Sequence, residues 1–179
     1  MTMDKDMDFM IAEMAEAFCA PKFYIMIGNI GAGKSTYIKN SIPKGIIISK
    51  DSIRYGIGGG NYIFNPNLEP VIHSTSVHMA HNFCAKQVPE IVLDETNVEA
   101  KNRKGWIEIA KKHNYYVIGV EFPRFDKAVA VARRLTNPHC QPDPVLWGSV
   151  WDKFDKKYDK ANLEEGFDYI MHIQKHEVI

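Results

Sequence analysis

The sequence predicts an α/β fold, a three-layer sandwich around a mostly parallel five-stranded sheet. Short apolar runs of strand length alternate with longer segments of helical character, and a glycine-rich loop and two acidic motifs each stand directly after a strand. In such a sheet the right-handed crossovers gather the post-strand loops along one edge, where ligands bind.

The elements follow in order. An amphipathic helix is expected over Asp8 to Phe18, forming an N-terminal extension of residues 1–20 that ends near Pro21. Lys22 to Ile27 (KFYIMI) reads as a strand buried on both faces, leading into the glycine loop and then a helix from Lys34 to about Asn40. Gly45 to Ser49 (GIIIS) reads as a second buried strand, Ile91 to Leu93 as the third, Tyr115 to Phe122 as the fourth and Tyr169 to Ile173 as the fifth. Between them, Glu69 to Lys86 is helical with Pro70 in its first turn, and Val98 to His113 is helical with Asn97 as its N-cap. Lys127 to Leu135 and Pro144 to Asp159 are two further helices, separated by the loop TNPHCQPD. Without an internal repeat, low-complexity tract or linker, the expectation is one domain over residues 1–179, with residues 133–144 as a lid loop.

Composition narrows the function. Apolar residues make up 45% and charged residues 25%, as in a soluble globular domain, and no apolar run has the length of a membrane span. The acidic N-terminus is unlike a signal peptide, and Cys19, Cys84 and Cys140 are odd in number and scattered, so a reducing, cytoplasmic setting is expected. The formal net charge of zero argues against a protein that coats nucleic acid. Locally, Val98 to Leu135 carries nine basic residues, Arg103 among them, against four acids; the excess suits either a strand end or polyphosphate, or a plain solvated helix face.

The strongest motif is GNIGAGKST, which meets the pattern GxxxxGK[ST] at Gly28, Gly33, Lys34 and Ser35. Its residues, Gly28, Asn29, Ile30, Gly31, Ala32, Gly33, Lys34, Ser35 and Thr36, are expected to bind ATP or another nucleoside triphosphate. Glycines let the loop wrap its N–H groups around phosphate oxygens, in conformations a Cβ would obstruct. Lys34 then reaches the β- and γ-phosphates, Ser35 ligates Mg²⁺, and the helix N-terminus adds partial positive charge. After the third strand, IVLDETN puts Asp94 where a carboxylate would hold the magnesium, and gives Glu95 either a water-activating or a structural role. After the second strand, SKDSIR sets Asp51 and Arg54 on one face of a short helix. An aspartate there suits a general base and an arginine an anion clamp, while the plainer alternative is an N-cap with a salt-bridged partner. The stretch GIGGG, Gly56 to Gly60, reads as a mobile loop, and Trp106, Trp147 and Trp151 as packing residues.

In their order, GNIGAGKST, SKDSIR, DETN and an arginine-bearing helix before a loop and PVL, these motifs resemble the bacteriophage-type polynucleotide 5′-hydroxyl kinases over roughly Lys22 to Tyr158. The resemblance implies a P-loop NTPase architecture of the adenylate-kinase-like kind, with ATP and Mg²⁺ as cofactors and nucleic acid as substrate. It implies that Asp51 is the general base, that Arg54 and Thr96 hold the acceptor's 3′-phosphate with Asn97 supporting that turn, and that Lys34 with Arg133 or Arg134 stabilises the phosphate in transfer. The chain departs from the family pattern by lacking a second lid arginine one turn further on, where Thr136 to Pro138 stand and His139 is a possible substitute. An appended phosphatase domain is not expected. Three alternatives remain open at this point: a kinase of the hydroxymethyl group of 5-hydroxymethyluracil in phage DNA, a small-molecule or nucleotide kinase, and a P-loop ATPase using Glu95.

Overall fold

The computed structural model describes residues 19–137 and 142–178, so the expected N-terminal helix, His139, Cys140 and the middle of the lid loop lie outside the described residues. Five strands form one sheet: β1 (Lys22–Ile27), β2 (Ile46–Ile48), β3 (Glu90–Leu93), β4 (Tyr116–Glu121) and β5 (Tyr169–His172). Their order is β2-β3-β1-β4-β5 and every pair is parallel. Helices α1 (Lys34–Ser41), α2 (Lys50–Ile57), α3 (Glu69–Ala85), α4 (Ala100–Lys112), α5 (Lys127–Leu135) and α6 (Pro144–Asp155) connect them.

Alternation along the strands splits the core into two layers. Phe23, Ile25 and Ile27 face Ala80 and Cys84 of α3 and Trp106, Ile107 and Ala110 of α4. Met26, Val92, Val120 and Phe122 face Ile38 of α1 and the adjoining Ile42. These layers sandwich the sheet, as expected for a parallel sheet whose strands are apolar on both faces. Trp106 is buried in the first layer. Among the described residues no helix is long and apolar enough to cross a membrane.

Four local expectations need correction. GIIIS was expected to be buried, yet β2 is the sheet's edge, and Ile47 stays 46% exposed while Ile48 is fully buried. Asn97 is not the N-cap of α4. It takes a left-handed φ of 46°, its side chain donates to the Met26 carbonyl at 2.9 Å, and Glu99 stands at the cap. The carboxylate that accepts from the first N–H of that helix, Ala100, belongs to Asp159. The helix expected to run to Asp159 stops at Asp155: Lys157 and Tyr158 N–H bond three residues back, to Phe154 and Asp155, and the Asp159 N–H bonds to the Val98 carbonyl instead of continuing the helix. Finally, Arg103 contributes nothing to a basic surface. It is 0% exposed, forks onto Glu165 at 2.6 and 2.7 Å, and donates to the carbonyls of Asn97, Val98 and Asp159.

Candidate active site

The parallel register aligns the strand ends that carry the motifs. Ile25 pairs with Leu93 and with Gly119, so Gly28, Asp94 and Phe122 all emerge at one edge of the sheet. The Gly28 N–H donates to the Thr96 carbonyl at 2.9 Å, tying the phosphate loop to the turn after β3. Gly31 and Gly33 have φ of 68° and 92°, and a Cβ on Gly31 would stand 2.3 Å from the Ala130 carbonyl of α5. Glycine is therefore required at position 31 both by backbone conformation and by close packing. Asn29 fastens the loop from the other side: its side chain donates to the Trp151 carbonyl of α6 at 3.0 Å and accepts from the Ile30 N–H at 2.7 Å.

Lys34 opens α1 and folds its ammonium back over the loop, donating to the carbonyls of Gly28 at 2.8 Å and Asn29 at 2.9 Å. Burial pushes its pKa down to about 8; the Arg134 charge adds to the fall, and the Asp94 and Asp51 carboxylates oppose it. One residue on, the Ser35 hydroxyl donates to Asp94 Oδ2 at 2.8 Å. The two oxygens expected to hold Mg²⁺ are thus together, and hydroxyl plus carboxylate is a donor set that fits a hard cation.

Across the edge, α2 presents the second motif. Ser49, not Asp51, caps this helix, accepting from the Ser52 N–H, so the N-cap alternative for Asp51 does not apply. The salt-bridge alternative does: Asp51 Oδ1 accepts from Arg54 Nη1 at 2.6 Å. The Asp51 side chain nevertheless stays 47% exposed, while that of Arg54 is nearly covered. Arg54 is also forked by Glu69 at the start of α3, Nε to Oε1 at 3.0 Å and Nη2 to Oε2 at 2.5 Å. Burial opposes its charge, but the bonds to Glu69 and the nearby Asp51 outweigh it and hold the guanidinium protonated.

Sequence reasoning missed Glu69 and Tyr62. Tyr62 donates its hydroxyl to Asp51 Oδ1 at 3.1 Å, and burial followed by the Asp51 charge pushes its pKa up to about 12, which keeps the proton on the phenol. The signal was in the glycine stretch. Gly56 to Gly60 forms a hydrogen-bonded turn rather than a loose loop, with Gly58 N–H on the Arg54 carbonyl, Gly60 N–H on the Tyr55 carbonyl and positive φ at Gly59 and Gly60. That reversal returns Tyr62 to the helix it has just left.

The two lid arginines diverge. Arg134 stacks on Trp147 with its guanidinium carbon 4.4 Å from the ring centroid, and its Nη2 lies 4.0 Å from Asp51 Oδ2. Arg133 turns away to stack on Phe125 at 4.1 Å. Arg134 Nε and Arg133 Nη1 are both buried without a hydrogen-bond partner, and of the two it is Arg134, beside Asp51, whose position suits an anionic oxygen. Thr96 is half-buried beside the loop, whereas Asn97 is almost fully buried and spent on Met26, so it holds the turn and does not face a ligand. Glu95 pairs with Lys50 at 2.9 Å; burial raises its pKa, with Lys50 working against that rise. A separate cleft of about 450 Å³ between the ends of β4 and β5, lined by Glu121, Tyr158 and His172 among others, includes none of the motif residues.

Comparison with known proteins agrees with this geometry. Residues 23–137, well over half the chain, match the family model AAA_33, described as an AAA domain. A stretch of 97 residues, 52% of the chain, is 28% identical to human NEDD4-binding protein 2, of whose length it spans 5%. Among solved structures, a Chloroflexus aurantiacus protein assigned as a kinase aligns with TM-score 0.61 and 16% identity over 89% of this chain and 92% of that one. The Pnkp1/Rnl/Hen1 RNA repair complex aligns with TM-score 0.59 and 15% identity over 78% of this chain and 47% of that one. The APS kinase CysC of Mycobacterium tuberculosis, solved with AMPPNP and APS, aligns with TM-score 0.54 and 13% identity over 87% and 90%. Identities this low establish the shared fold, which is that of the P-loop kinases, while the family match runs from β1 to just beyond the paired arginines. The chain belongs to the AAA domain family AAA_33.

Proposed function

We propose that this phosphotransferase moves the γ-phosphate of ATP to a hydroxyl of nucleic acid, with the 5′-hydroxyl of a polynucleotide as the acceptor. The observation that carries the reading is the position of Asp51. It lies between Arg134, 4.0 Å away on the donor side, and Arg54, 2.6 Å away on the acceptor side, and it keeps nearly half its surface in solvent.

In the proposed reaction the acceptor oxygen attacks the γ-phosphorus in line. A new P–O bond forms, the bond to the β,γ-bridging oxygen breaks, the acceptor proton passes to Asp51, and ADP leaves. The phosphate loop from Gly28 to Thr36 wraps the donor phosphates, and Lys34 and Arg134 stabilise charge on the group in transfer. Arg54 and Thr96 receive the acceptor's 3′-phosphate, and Asn97 holds the turn that carries Thr96. Mg²⁺ held by Ser35 and Asp94 would supply a Lewis acid on the donor phosphates. Glu95 is engaged with Lys50, which disfavours the ATPase reading in which it activates water. The alignment with an RNA repair complex supports a nucleic-acid acceptor, and the chain's cytoplasmic setting, in a phage-infected host, is part of the same proposal.

Transfer of labelled γ-phosphate to a panel of oligonucleotides, with the product mapped, tests this. Label at 5′ ends is the expected result. Label only at internal positions of hydroxymethyluracil DNA would move the acceptor to a base hydroxymethyl group. Strong competition by mononucleosides with no preference for oligonucleotides would make this a small-molecule kinase.

A further inference from the structure

The last turn of α2 and the segment joining it to α3 have a composition unlike the rest of the site. From Tyr55 to Leu68 (YGIGGGNYIFNPNL) they contain no charged residue, yet they border Asp51, Arg54 and Glu69, which are all charged. Neutral, aromatic and asparagine-bearing surface is poorly suited to phosphate but well suited to nucleobases, whose faces stack and whose edges accept and donate hydrogen bonds.

The geometry is equally specific. Phe64 is 64% exposed although it is large and apolar, and Ile57, Ile63 and Leu68 of the same segment are exposed with it. Its ring lies against Arg54, with the guanidinium carbon 5.8 Å from the centroid, and Tyr62 lies at the same distance from that carbon. Tyr62 is braced edge-on by Tyr55, ring centroids 5.3 Å apart, and its hydroxyl is fixed on Asp51 at 3.1 Å. Arg54 thus carries an aromatic surface on the same guanidinium that pairs with Asp51. A nucleotide with its 5′-hydroxyl at Asp51 and its 3′-phosphate at Arg54 hangs its base from the sugar between those two groups, within reach of this surface.

We propose that Phe64, backed by Arg54 and Tyr62, is a stacking platform for the terminal base of the acceptor strand. This rests on the polynucleotide-kinase reading and names its substrate class: ends whose terminal base is unpaired and free to leave its neighbours, recognised by stacking and so with little dependence on base identity.

The test compares steady-state phosphorylation of single-stranded oligonucleotides with an ordinary or an abasic 5′-terminal nucleotide, using the wild type, Phe64→Ala and Phe64→Trp. In the wild type, the abasic end is expected to raise KM for the oligonucleotide roughly tenfold, as loss of one base–aromatic stack does, with KM for ATP unchanged. Phe64→Ala should raise KM for the ordinary oligonucleotide by a similar factor and remove the difference between the two substrates; Phe64→Trp should restore it. An unaltered melting temperature in Phe64→Ala, expected for so exposed a side chain, excludes misfolding as the cause. A wild type indifferent to the abasic end, or a Phe64→Ala variant that still discriminates, overturns the platform while leaving the kinase reading standing. A concentration-dependent self-association lost in Phe64→Ala with KM unchanged overturns it in favour of a contact between copies. Failure to phosphorylate any oligonucleotide overturns the parent reading, and the platform with it.

Discussion

Arg134, on α5, points its guanidinium at Asp51, on α2, with Nη2 4.0 Å from Oδ2. The pair joins the two halves of the proposed reaction, since one residue serves the phosphate in transfer and the other the attacking hydroxyl. Asp51→Asn preserves the shape and the bond to Tyr62 but removes the proton acceptor. Transfer should fall by roughly 10²–10⁴-fold, the usual worth of a general base, with ATP affinity unchanged. Labelled-phosphate transfer alongside equilibrium ATP titration checks this, and full activity in the variant would sink the assignment.

The two adjacent arginines should separate in kinetics. Arg134→Ala removes a cation directed at the reacting centre, so kcat should fall by roughly 10²–10³-fold. Arg133→Ala removes a side chain stacked on Phe125 and directed away from Asp51, and less than about a tenfold change in kcat is expected, because a partly exposed cation–π stack is worth only ~1 kcal/mol. Equal losses in the two variants would contradict the orientation of α5.

Lys34 predicts a pH signature. Its pKa falls from 10.5 to about 8 on folding, chiefly through burial. Below about pH 8 both folded and unfolded chains are protonated and the cost of burying the ammonium is fully present; between the two values the unfolded chain holds the extra proton, so stability rises with pH. A bound polyphosphate restores the ammonium, so ATP binding above pH 8 must draw in a proton, and affinity should weaken by up to about tenfold per pH unit. Calorimetry in buffers of different ionisation enthalpy should show proton uptake near zero at neutral pH and approaching one well above it. Uptake that stays flat in the wild type would contradict the shift.

Arg103 is a stability residue despite its place in a basic stretch. Fully buried, bidentate on Glu165 and spanning three carbonyls, it leaves the largely covered Glu165 carboxylate with only the Asn162 N–H as partner when removed. Arg103→Met should destabilise the fold by roughly 3–5 kcal/mol in urea unfolding, as breaking a buried ion pair does. ATP affinity of the remaining folded fraction should be unchanged.

The turn after β3 gives a smaller effect. Asn97→Ala loses the bond to the Met26 carbonyl and places a Cβ-bearing residue without a local hydrogen bond at a φ of 46°. A loss of about 1–3 kcal/mol is expected, together with a weaker hold on the neighbouring Thr96. Asn97→Gly, which tolerates the positive φ, should recover part of that stability in the same unfolding measurement.

The sequence by itself determined the sheet, the phosphate loop and the order of its motifs, because these rest on short-range chemistry: strand-length apolar runs, glycines where phosphate must approach backbone, and a proline in the first turn of a helix. KFYIMI before GNIGAGKST and KAVAVARRL as one helix were legible for that reason. Tertiary structure alone decided that β2 lies at the edge, that Asp159 accepts from the first N–H of α4 from 59 residues away, and that Arg103 is buried. It also decided which arginine lies beside Asp51, since neighbours on a helix point about 100° apart and only the packing of α5 against α6 sets its rotation. The return of Tyr62 to Asp51 belongs to the same class. Such contacts join residues far apart in the chain, and no local periodicity records which distant partner a side chain will meet.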